Sequence, residues 1–455
     1  MPPLPESYST KDNIDRITSE PASCDTMRFT ILLLLLLIKL PVNGQALYFP
    51  PLTGTNWDTI SPASLGWCTQ YVDTIADFNA QRGSKAFLIL KDGKIAVEQY
   101  YGTFTRDSLW YWASAGKTLT SFLTGIAQEE GYLDITRPTS DYLGTGWTSA
   151  PLAKEQLITV RNQLTMTSGL DDLTGDPYCT LPSCLQYEAD AGTRWAYHNA
   201  PYTLLDTVIE SATGQNFNTY FNSRIRNRIG MNGFWFPNGY NNIYGSTARS
   251  MARFGLLMLN RGIWDQDTLL HDTAYYHAMI NTSQNLNKSY GYLWWLNGKQ
   301  SFMLPYSQFV FGGSLSPDAP SDMYSGIGKN SQVVSVIPSQ QMVIIRMGNS
   351  PDTNDVSLIY VNELWEELNK LFCTPTGMHD PVSRSFALYP NPANDAVMIR
   401  GAAEDTRISV YDLEGVLLKA TIGNTFSVRH FSPGIYLVSI TLKDGSRSMH
   451  RLAIE

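Results

Sequence analysis

Charged residues are scarce in this chain of 455 residues. Asp, Glu, Lys and Arg together make up 16% of the sequence, and 41 acidic against 33 basic side chains give a net charge of -8. A chain without a basic excess lacks the surface that neutralises nucleic-acid phosphates or anionic lipid head groups. We therefore expect no nucleic-acid partner.

Histidine and cysteine are also few, with six and five residues. The sequence contains no His-Glu-x-x-His and no zinc-type spacing of His with Cys, and it lacks a P-loop and a dinucleotide-binding fingerprint. We predict neither a metal site nor a cofactor. The absence of Gly-x-Ser-x-Gly further excludes the nucleophile turn of α/β-hydrolases.

One long apolar run is present, from Ile31 to Ile38, preceded by Met27-Arg28 and followed by small and polar residues up to Gly44. Such a run is too short to cross a bilayer and is typical of a signal peptide. We predict a leader over 1–44 with the signal peptide at 27–44, and no integral membrane segment in the mature chain. The alternative is a buried core helix at 31–40.

Cysteine usage agrees with export. Cys24 lies in the predicted leader, which leaves four cysteines that can pair in three ways. Cys179 and Cys184 bracket a four-residue loop that a disulfide closes easily, and this pairing leaves Cys68 with Cys373. The second disulfide would connect the start of the first predicted domain, 45–373, with its end.

Hydrophobic patterning indicates two structural units separated by a linker at 374–384, which is rich in Pro, Gly and polar residues. Beyond it, residues 385–455 contain short β-rich runs between turns and are predicted to form a small all-β sandwich. Residues 45–373 mix both periodicities, and we predict an α+β fold whose antiparallel sheet takes strands from both chain ends around a large helical region. The predicted strands are 85–90, 94–101, 332–337 and 341–347, and the predicted helices are 67–82, 117–130, 201–214, 246–260 and 356–372.

Ser114 and Lys117 form a Ser-x-x-Lys pair at the start of a predicted helix. Residues three apart on a helix share a face, so the lysine can act as a base toward the serine if burial keeps its amine neutral. The helix start would also favour the oxyanion that forms when the serine attacks a carbonyl. The tetrapeptide alone is weak evidence, because chance matches are expected in a chain of this length.

Further motifs follow this pair in a fixed order, beginning with Tyr197-His198-Asn199. The set resembles the β-lactamase-like serine hydrolases, which include class C β-lactamases, penicillin-binding proteins, family VIII esterases and 6-aminohexanoate-dimer hydrolase. The resemblance covers about residues 50–372 and implies an antiparallel sheet flanked by helices. The supporting segments are Glu129–Asp134, Ile158–Leu170, Tyr244–Arg253, Tyr290–Trp295 and Val334–Pro338.

The resemblance implies a role for each motif residue. Ser114 would be acylated, Lys117 would deprotonate it, Tyr197 would relay the proton and later activate water, and Asn199 would bind Lys117 or the substrate. His198 is interpreted as structural.

The third family motif, Lys/His-Thr-Gly, is altered in this chain. Its best match is Tyr324-Ser325-Gly326, followed by Ile327, whose N–H would join that of Ser114 in an oxyanion hole. The missing cation, for which Lys329 is a possible substitute, favours esterase or amidase activity over efficient β-lactamase activity. The expected substrate is a small ester, amide or short peptide. Alternatives are a D-alanyl peptidase, a β-lactamase, or an inactive surface protein that binds a ligand.

The C-terminal 71 residues are similar to the C-terminal sorting domain of the type IX secretion system. This resemblance implies a type IX secretion partner and a secreted or cell-surface location after export through the periplasm. A carbohydrate-binding or adhesive β-module is the alternative. The matching segments are Tyr389-Pro-Asn-Pro-Ala-Asn-Asp395, Ile408-Ser-Val-Tyr-Asp-Leu-Glu-Gly415 and Pro433-Gly-Ile-Tyr-Leu-Val438.

Overall fold

The computed structural model describes residues 47–173, 175–352, 357–373, 386–413, 415–443 and 447–455. The predicted signal peptide at 27–44 and the predicted linker at 374–384 lie outside these ranges. Within them, no helix has the length and apolar content that a bilayer crossing requires. The same part of the chain brings together no group of three or more His, Cys, Asp or Glu side chains suited to a metal ion.

A six-stranded antiparallel sheet organises the first part of the chain, in the order β2-β1-β13-β12-β11-β8. Ile345 in β13 pairs with Leu88 on one side and Val334 on the other, so strands from both chain ends meet at the centre of the sheet. This confirms the predicted α+β arrangement. The strands of this sheet are β1 Ser84–Lys91, β2 Lys94–Tyr100, β8 Trp295–Leu296, β11 Tyr324–Gly328, β12 Gln332–Ile337 and β13 Met342–Gly348.

Helices cover both faces of this sheet, which explains why its central strands are continuously apolar rather than alternating. On one face, a Cβ added to Gly255 would lie 2.4 Å from Val343, so the glycine lets its helix approach the strands closely. On the other face, Phe78 and Tyr360 stack with ring centroids 5.9 Å apart. The flanking helices are α1 Val72–Gln81, α8 Ala248–Leu259 and α10 Leu358–Leu371.

The predicted large helical region lies between β2 and β8 in the chain. Its longest members, α2 and α6, pack against each other, and α2 is buried over almost its whole length. Its helices are α2 Lys117–Glu129, α3 Ser140–Leu143, α4 Leu152–Glu155, α5 Val160–Leu164, α6 Asn199–Thr213, α7 Phe217–Phe221 and α9 Thr273–Met279, with α8 between the last two. Small sheets within it are formed by β3 Trp110–Tyr111, β4 Phe234–Asn238, β5 Asn241–Ser246, β6 Ile263–Trp264 and β7 Asp267–Thr268. Another small sheet, formed by β9 Ser301–Phe302 and β10 Phe311–Gly312, follows β8 in the chain.

The C-terminal residues form the predicted small all-β sandwich. Its two sheets have the orders β14-β15-β18 and β17-β16-β19-β20, with all pairs antiparallel. Alternate residues such as Val397, Val410 and Val438 are buried between the sheets, which is the strand periodicity that the sequence displays. The strands are β14 Ala387–Tyr389, β15 Ala396–Arg400, β16 Arg407–Tyr411, β17 Leu417–Ile422, β18 Thr425–Ser427, β19 Gly434–Thr441 and β20 Arg447–Ile454.

Both predicted disulfides are present. Cys179 and Cys184 have Cα atoms 5.9 Å apart, and Cys68 and Cys373 have Cα atoms 5.4 Å apart across a sequence separation of 305 residues. The Cys68 amide also donates to Leu371 O at 2.8 Å, so covalent and hydrogen bonds together fix the end of α10 to the segment before α1.

Removing the long-range disulfide should destabilise the protein more than removing the short one. A crosslink restricts the unfolded chain more when it closes a longer loop, and native disulfides typically contribute about 2–5 kcal/mol. We expect the Cys68→Ala/Cys373→Ala variant to unfold at lower urea concentration than Cys179→Ala/Cys184→Ala, which is the matched control. Equal midpoints for the two variants would contradict this expectation.

Candidate active site

Ser114 lies in a short 3-10 turn, Ala113–Gly116, that runs directly into α2 at Lys117. Ala113 has a φ of 46°, a left-handed conformation that a residue with a Cβ rarely adopts. Strained backbone of this kind concentrates at functional sites, where the surrounding structure holds it in place. The turn leaves Ser114 partly exposed, while Lys117 is buried beneath it.

The Lys117 amine is held by oxygen atoms and aromatic rings. Its Nζ lies 3.1 Å from Ser114 Oγ and donates to Asn199 Oδ1 at 2.9 Å. It also lies 4.0 Å from the ring centroid of Tyr202 and 5.4 Å from that of Tyr197. The structure therefore brings together all four residues of the first two motifs, Ser114, Lys117, Tyr197 and Asn199.

Burial sets the charge state of this lysine. With 3% of its surface exposed, Lys117 loses hydration of its ammonium group, and burial lowers its pKa to about 7, while Asp206 acts in the opposite direction. A neutral amine has a lone pair, so the same Nζ–Oγ contact allows the Ser114 hydroxyl to donate to Lys117. The geometry thus places a base next to an accessible hydroxyl.

Tyr197 presents a neutral phenol to the same serine. Burial raises the pKa of Tyr197, the hydrogen bond with Ser114 opposes this rise, and the nearby Tyr178 and Tyr306 contribute to it. Its ring stacks on Trp295 at 5.7 Å and meets Tyr290 edge-on at 6.1 Å. These contacts fix the direction of the phenol.

Two residues that sequence reasoning missed lie behind Lys117. Tyr202 and Asp206 follow Asn199 by three and seven residues on α6, so all three share one helix face, a spacing that could have revealed them. Asp206 Oδ2 accepts from Asn242 at 2.9 Å, while its Oδ1 is shielded from solvent and has no partner in the described part of the chain. Burial raises the pKa of Asp206 to about 7.

His198, interpreted from the sequence as structural, is buried. Burial lowers its pKa to about 4, so the ring is neutral at physiological pH. Nearby, Arg194 and Asp172 form a buried ion pair at 2.6 Å. Trp112, Trp294 and Trp295 are also fully buried.

Strand β11 approaches the Ser114 turn at its glycines. A Cβ on Gly328 would lie 2.5 Å from Trp112 O and 2.9 Å from Ser114 N, and one on Gly326 would lie 3.2 Å from Ala115 O. Gly328 has an ordinary φ of -121°, so the requirement for glycine here is steric. Because the side chains are absent, the strand backbone lies directly against the turn.

The peptide groups of β11 alternate between its two edges. The Met323 carbonyl accepts from Asn297 N at 2.9 Å, on the β8 side, which directs the peptide groups of Ser325 and Ile327 to the same edge. Pairing with β8 ends at Ser325, opposite Trp295. The Ile327 N–H is therefore directed to an edge that β8 no longer occupies, beside the Ser114 turn.

The other side chains of the third motif face inward. The Tyr324 hydroxyl donates to Met258 O at 2.9 Å and lies 3.0 Å from the Tyr276 hydroxyl, so it is held in the core. Ser325 Oγ lies 2.8 Å from Ser335 Oγ and is also buried. The hydroxyl groups of Tyr324 and Ser325 are thus engaged by partners other than Ser114, and the position that carries Lys or His in the family is an uncharged tyrosine.

Comparison with known sequences agrees with this arrangement. The sequence model of the family described as Beta-lactamase matches residues 72–361. The chain belongs to the Beta-lactamase family. A second family, described as Secretion system C-terminal sorting domain, matches residues 387–455.

Individual proteins of known sequence or structure are also similar to this chain. The chain is 23% identical over 310 residues to the 6-aminohexanoate-dimer hydrolase of Paenarthrobacter ureafaciens, covering 59% of this chain and 73% of the relative. A putative 6-aminohexanoate-dimer hydrolase from Bacillus anthracis has a TM-score of 0.50 at 18% identity, covering 72% of this chain and 89% of that structure. A family VIII carboxylesterase has a TM-score of 0.51 at 14% identity, covering 66% and 96%. These two structures share the fold.

Substitution of Gly328 should disturb the contact between β11 and the Ser114 turn. In Gly328→Ala the methyl group overlaps backbone atoms, and overpacking of this kind typically costs about 1–3 kcal/mol. We expect a lower melting temperature by scanning calorimetry. Gly116→Ala is the control, because its added Cβ lies no closer than 3.6 Å to the surrounding atoms. An unchanged Gly328→Ala protein would show that the strand can move away freely.

Proposed function

We propose that this protein is an exported serine hydrolase that cleaves a small ester or amide through an acyl-enzyme on Ser114. The observation that carries the proposal is the contact between a partly exposed serine and a buried lysine whose pKa burial lowers to about 7. A lysine with its pKa lowered in this way has a neutral form near physiological pH that is able to accept a proton.

In the proposed reaction, Ser114 Oγ attacks the substrate carbonyl carbon while its proton moves to Lys117 Nζ. The carbonyl oxygen becomes an oxyanion and accepts from the N–H groups of Ser114 and Ile327. Its collapse breaks the ester C–O or amide C–N bond, and the leaving group takes the proton from Lys117 through the Tyr197 phenol. Water then attacks the acyl carbon and passes a proton through Tyr197 to Lys117. The bond between the acyl carbon and Ser114 Oγ breaks, Lys117 returns the proton to Oγ, and the carboxylic acid product leaves.

Asn199 positions Lys117 in this scheme. Its Oδ1 accepts one N–H of the amine, which orients the nitrogen lone pair toward Ser114 in the neutral form. Asn199 is itself fixed as the first residue of α6.

The charge at the site favours substrates without a carboxylate. The motif position that carries Lys or His in the family is Tyr324 here, and its hydroxyl is occupied in the core. Aromatic residues surround the reactive groups, with Tyr178 and Tyr306 near the Tyr197 phenol. These features support an esterase or amidase rather than an efficient β-lactamase or D-alanyl peptidase, whose substrates bear a carboxylate.

The C-terminal tail supports a location outside the cell for this activity. Its match to the sorting-domain family implies the type IX secretion machinery as a partner and a secreted or surface location. We propose passage through the periplasm after removal of residues 1–44, with the hydrolase in 45–373 and the sorting domain in 385–455.

Loss of the Ser114 hydroxyl should abolish covalent chemistry. We expect Ser114→Ala to lose labelling by a fluorophosphonate probe and to reduce turnover of a short-chain nitrophenyl ester by at least about a thousandfold. Ser121→Ala is the matched control, because this α2 serine has a buried hydroxyl without a partner in the described structure. A folded wild-type protein that neither labels nor turns over would instead indicate a binding protein.

Substrate charge is tested in the same assay. Wild type should hydrolyse a neutral ester or amide faster than a chromogenic cephalosporin or a D-alanyl dipeptide, both of which carry a carboxylate. Preference for a carboxylate-bearing substrate would contradict the proposed specificity while leaving the role of Ser114 intact.

The pH dependence should report Lys117. Because the neutral amine is the active form, kcat/KM should rise with pH through about 7 and level off above it. Asp206 raises the pKa of Lys117, so Asp206→Asn should move this rise to lower pH. Asp141→Asn, at an exposed surface pair with Arg137, serves as the control. A rise that stays in place in Asp206→Asn would exclude this electrostatic coupling.

A further inference from the structure

A polar cavity lies at the start of α8 and shares no residue with the Ser114 site. Its volume is about 80 Å³, and we call it the α8 cavity. This is well above the ~10–15 Å³ that one water molecule needs, so it can hold a ligand of several atoms. Its walls come from segments distant in sequence and include Trp57, Arg106, Asn232, Arg249 and Arg253.

Arg253 supplies a buried charge without an acidic partner. Only 6% of its surface is exposed, and it donates to Ile229 O at 2.9 Å and Pro51 O at 2.7 Å. It has no carboxylate partner among the residues that the structure describes. Burial and the neighbouring Arg249 together lower its pKa to about 10, against an opposing effect of Tyr48. A buried guanidinium held by neutral carbonyls is stabilised by any anion that enters the cavity.

The charges around Arg253 leave this cavity positive. Glu98 neutralises Arg249 through two hydrogen bonds, of 2.6 and 2.7 Å. Arg106 pairs with Asp107 at 3.4 Å on the exposed rim and also acts on Glu98 through space. The three arginines therefore exceed the two nearby carboxylates in charge. Glu98 is hydrogen-bonded to Arg249, and Asp107 is exposed to solvent.

The backbone adds to the positive potential. Thr247 caps the 12-residue helix α8, and its side chain accepts from Ser250 N at the helix start. The N-terminal end of a helix carries partial positive charge and attracts anions. Asn232 Oδ1 accepts hydrogen bonds from Thr247 N and Ser250 Oγ. These two bonds fix the orientation of the Asn232 amide, with its NH₂ group on the side opposite these donors.

We propose that the α8 cavity binds a small oxyanion, such as phosphate, sulfate or the carboxylate of a small acid. Arg253 would bind it from below, the start of α8 from the side, and Arg106 from the rim. Planar guanidinium groups match the paired oxygens of such anions. The site is a second binding site, because neither its arginines nor its polar groups contact Ser114, Lys117 or Tyr197.

The test is anion binding by the full chain. Phosphate, sulfate and acetate are each titrated at constant ionic strength, with chloride as the balancing salt, while calorimetry measures affinity and thermal unfolding measures stabilisation. We expect saturable binding of at least one anion, and the preferred one distinguishes a tetrahedral from a planar ligand. Binding that does not exceed the chloride background overturns the proposal.

Variants locate the binding. Arg253→Gln should weaken the affinity by roughly ten- to a hundredfold, the loss expected for a buried charged hydrogen bond. Should that variant fail to fold, Arg106→Gln at the rim still decides, with an expected loss of roughly three- to tenfold. Arg137→Gln, another exposed arginine beside an aspartate, is the matched control and should bind normally. Affinity that is unchanged in Arg106→Gln and in folded Arg253→Gln overturns the assignment.

Discussion

The buried amine of Lys117 is the feature on which the rest of the hydrolase site depends. A lysine beside a carboxylate would remain charged, and a lysine in water would do the same. Here the nearest partners are the Ser114 hydroxyl, the Asn199 amide oxygen and the Tyr202 ring, which carry no net charge. They satisfy the nitrogen in either protonation state, and Asp206 acts on it less strongly than burial does. The lysine is therefore poised to exchange a proton near neutral pH.

The surrounding fold serves to bring three distant segments to this amine. The turn before α2 supplies Ser114, the first turn of α6 supplies Asn199, and the edge of β11 lies against the Ser114 turn. Close approach of β11 to this turn requires glycine at 326 and 328. Pairing between β11 and β8 ends at Ser325, which leaves the edge of β11 beside Ser114 open. A longer β8 would pair with that edge and block it.

Much of the fold and of the Ser114 site could be predicted from the sequence, because the patterns that indicate them involve residues close together in the chain. The central strands show as unbroken apolar runs, the disulfides follow from loop length and parity, and the Ser-x-x-Lys spacing places two side chains on one helix face. The inward direction of Tyr324 was not predictable, since it depends on Tyr276 and Met258 arriving from other elements. The first turn of the predicted helix at 67–82 is a 3-10 turn at Thr69–Tyr71, because the chain is held there by Cys68. The α8 cavity likewise needs residues some two hundred positions apart to meet.

The Cys68–Cys373 disulfide also has a mechanical meaning. When the chain beyond a domain is pulled, the terminal helix is normally the first element to detach from the domain. Here tension applied after residue 373 divides at the disulfide, and one branch bypasses α10 and reaches the segment before α1 directly. The rings of Trp67 and Phe372, which lie 4.8 Å apart, pack together next to this disulfide. A pulling force on the C-terminal extension therefore does not unfold the first domain from α10 inward.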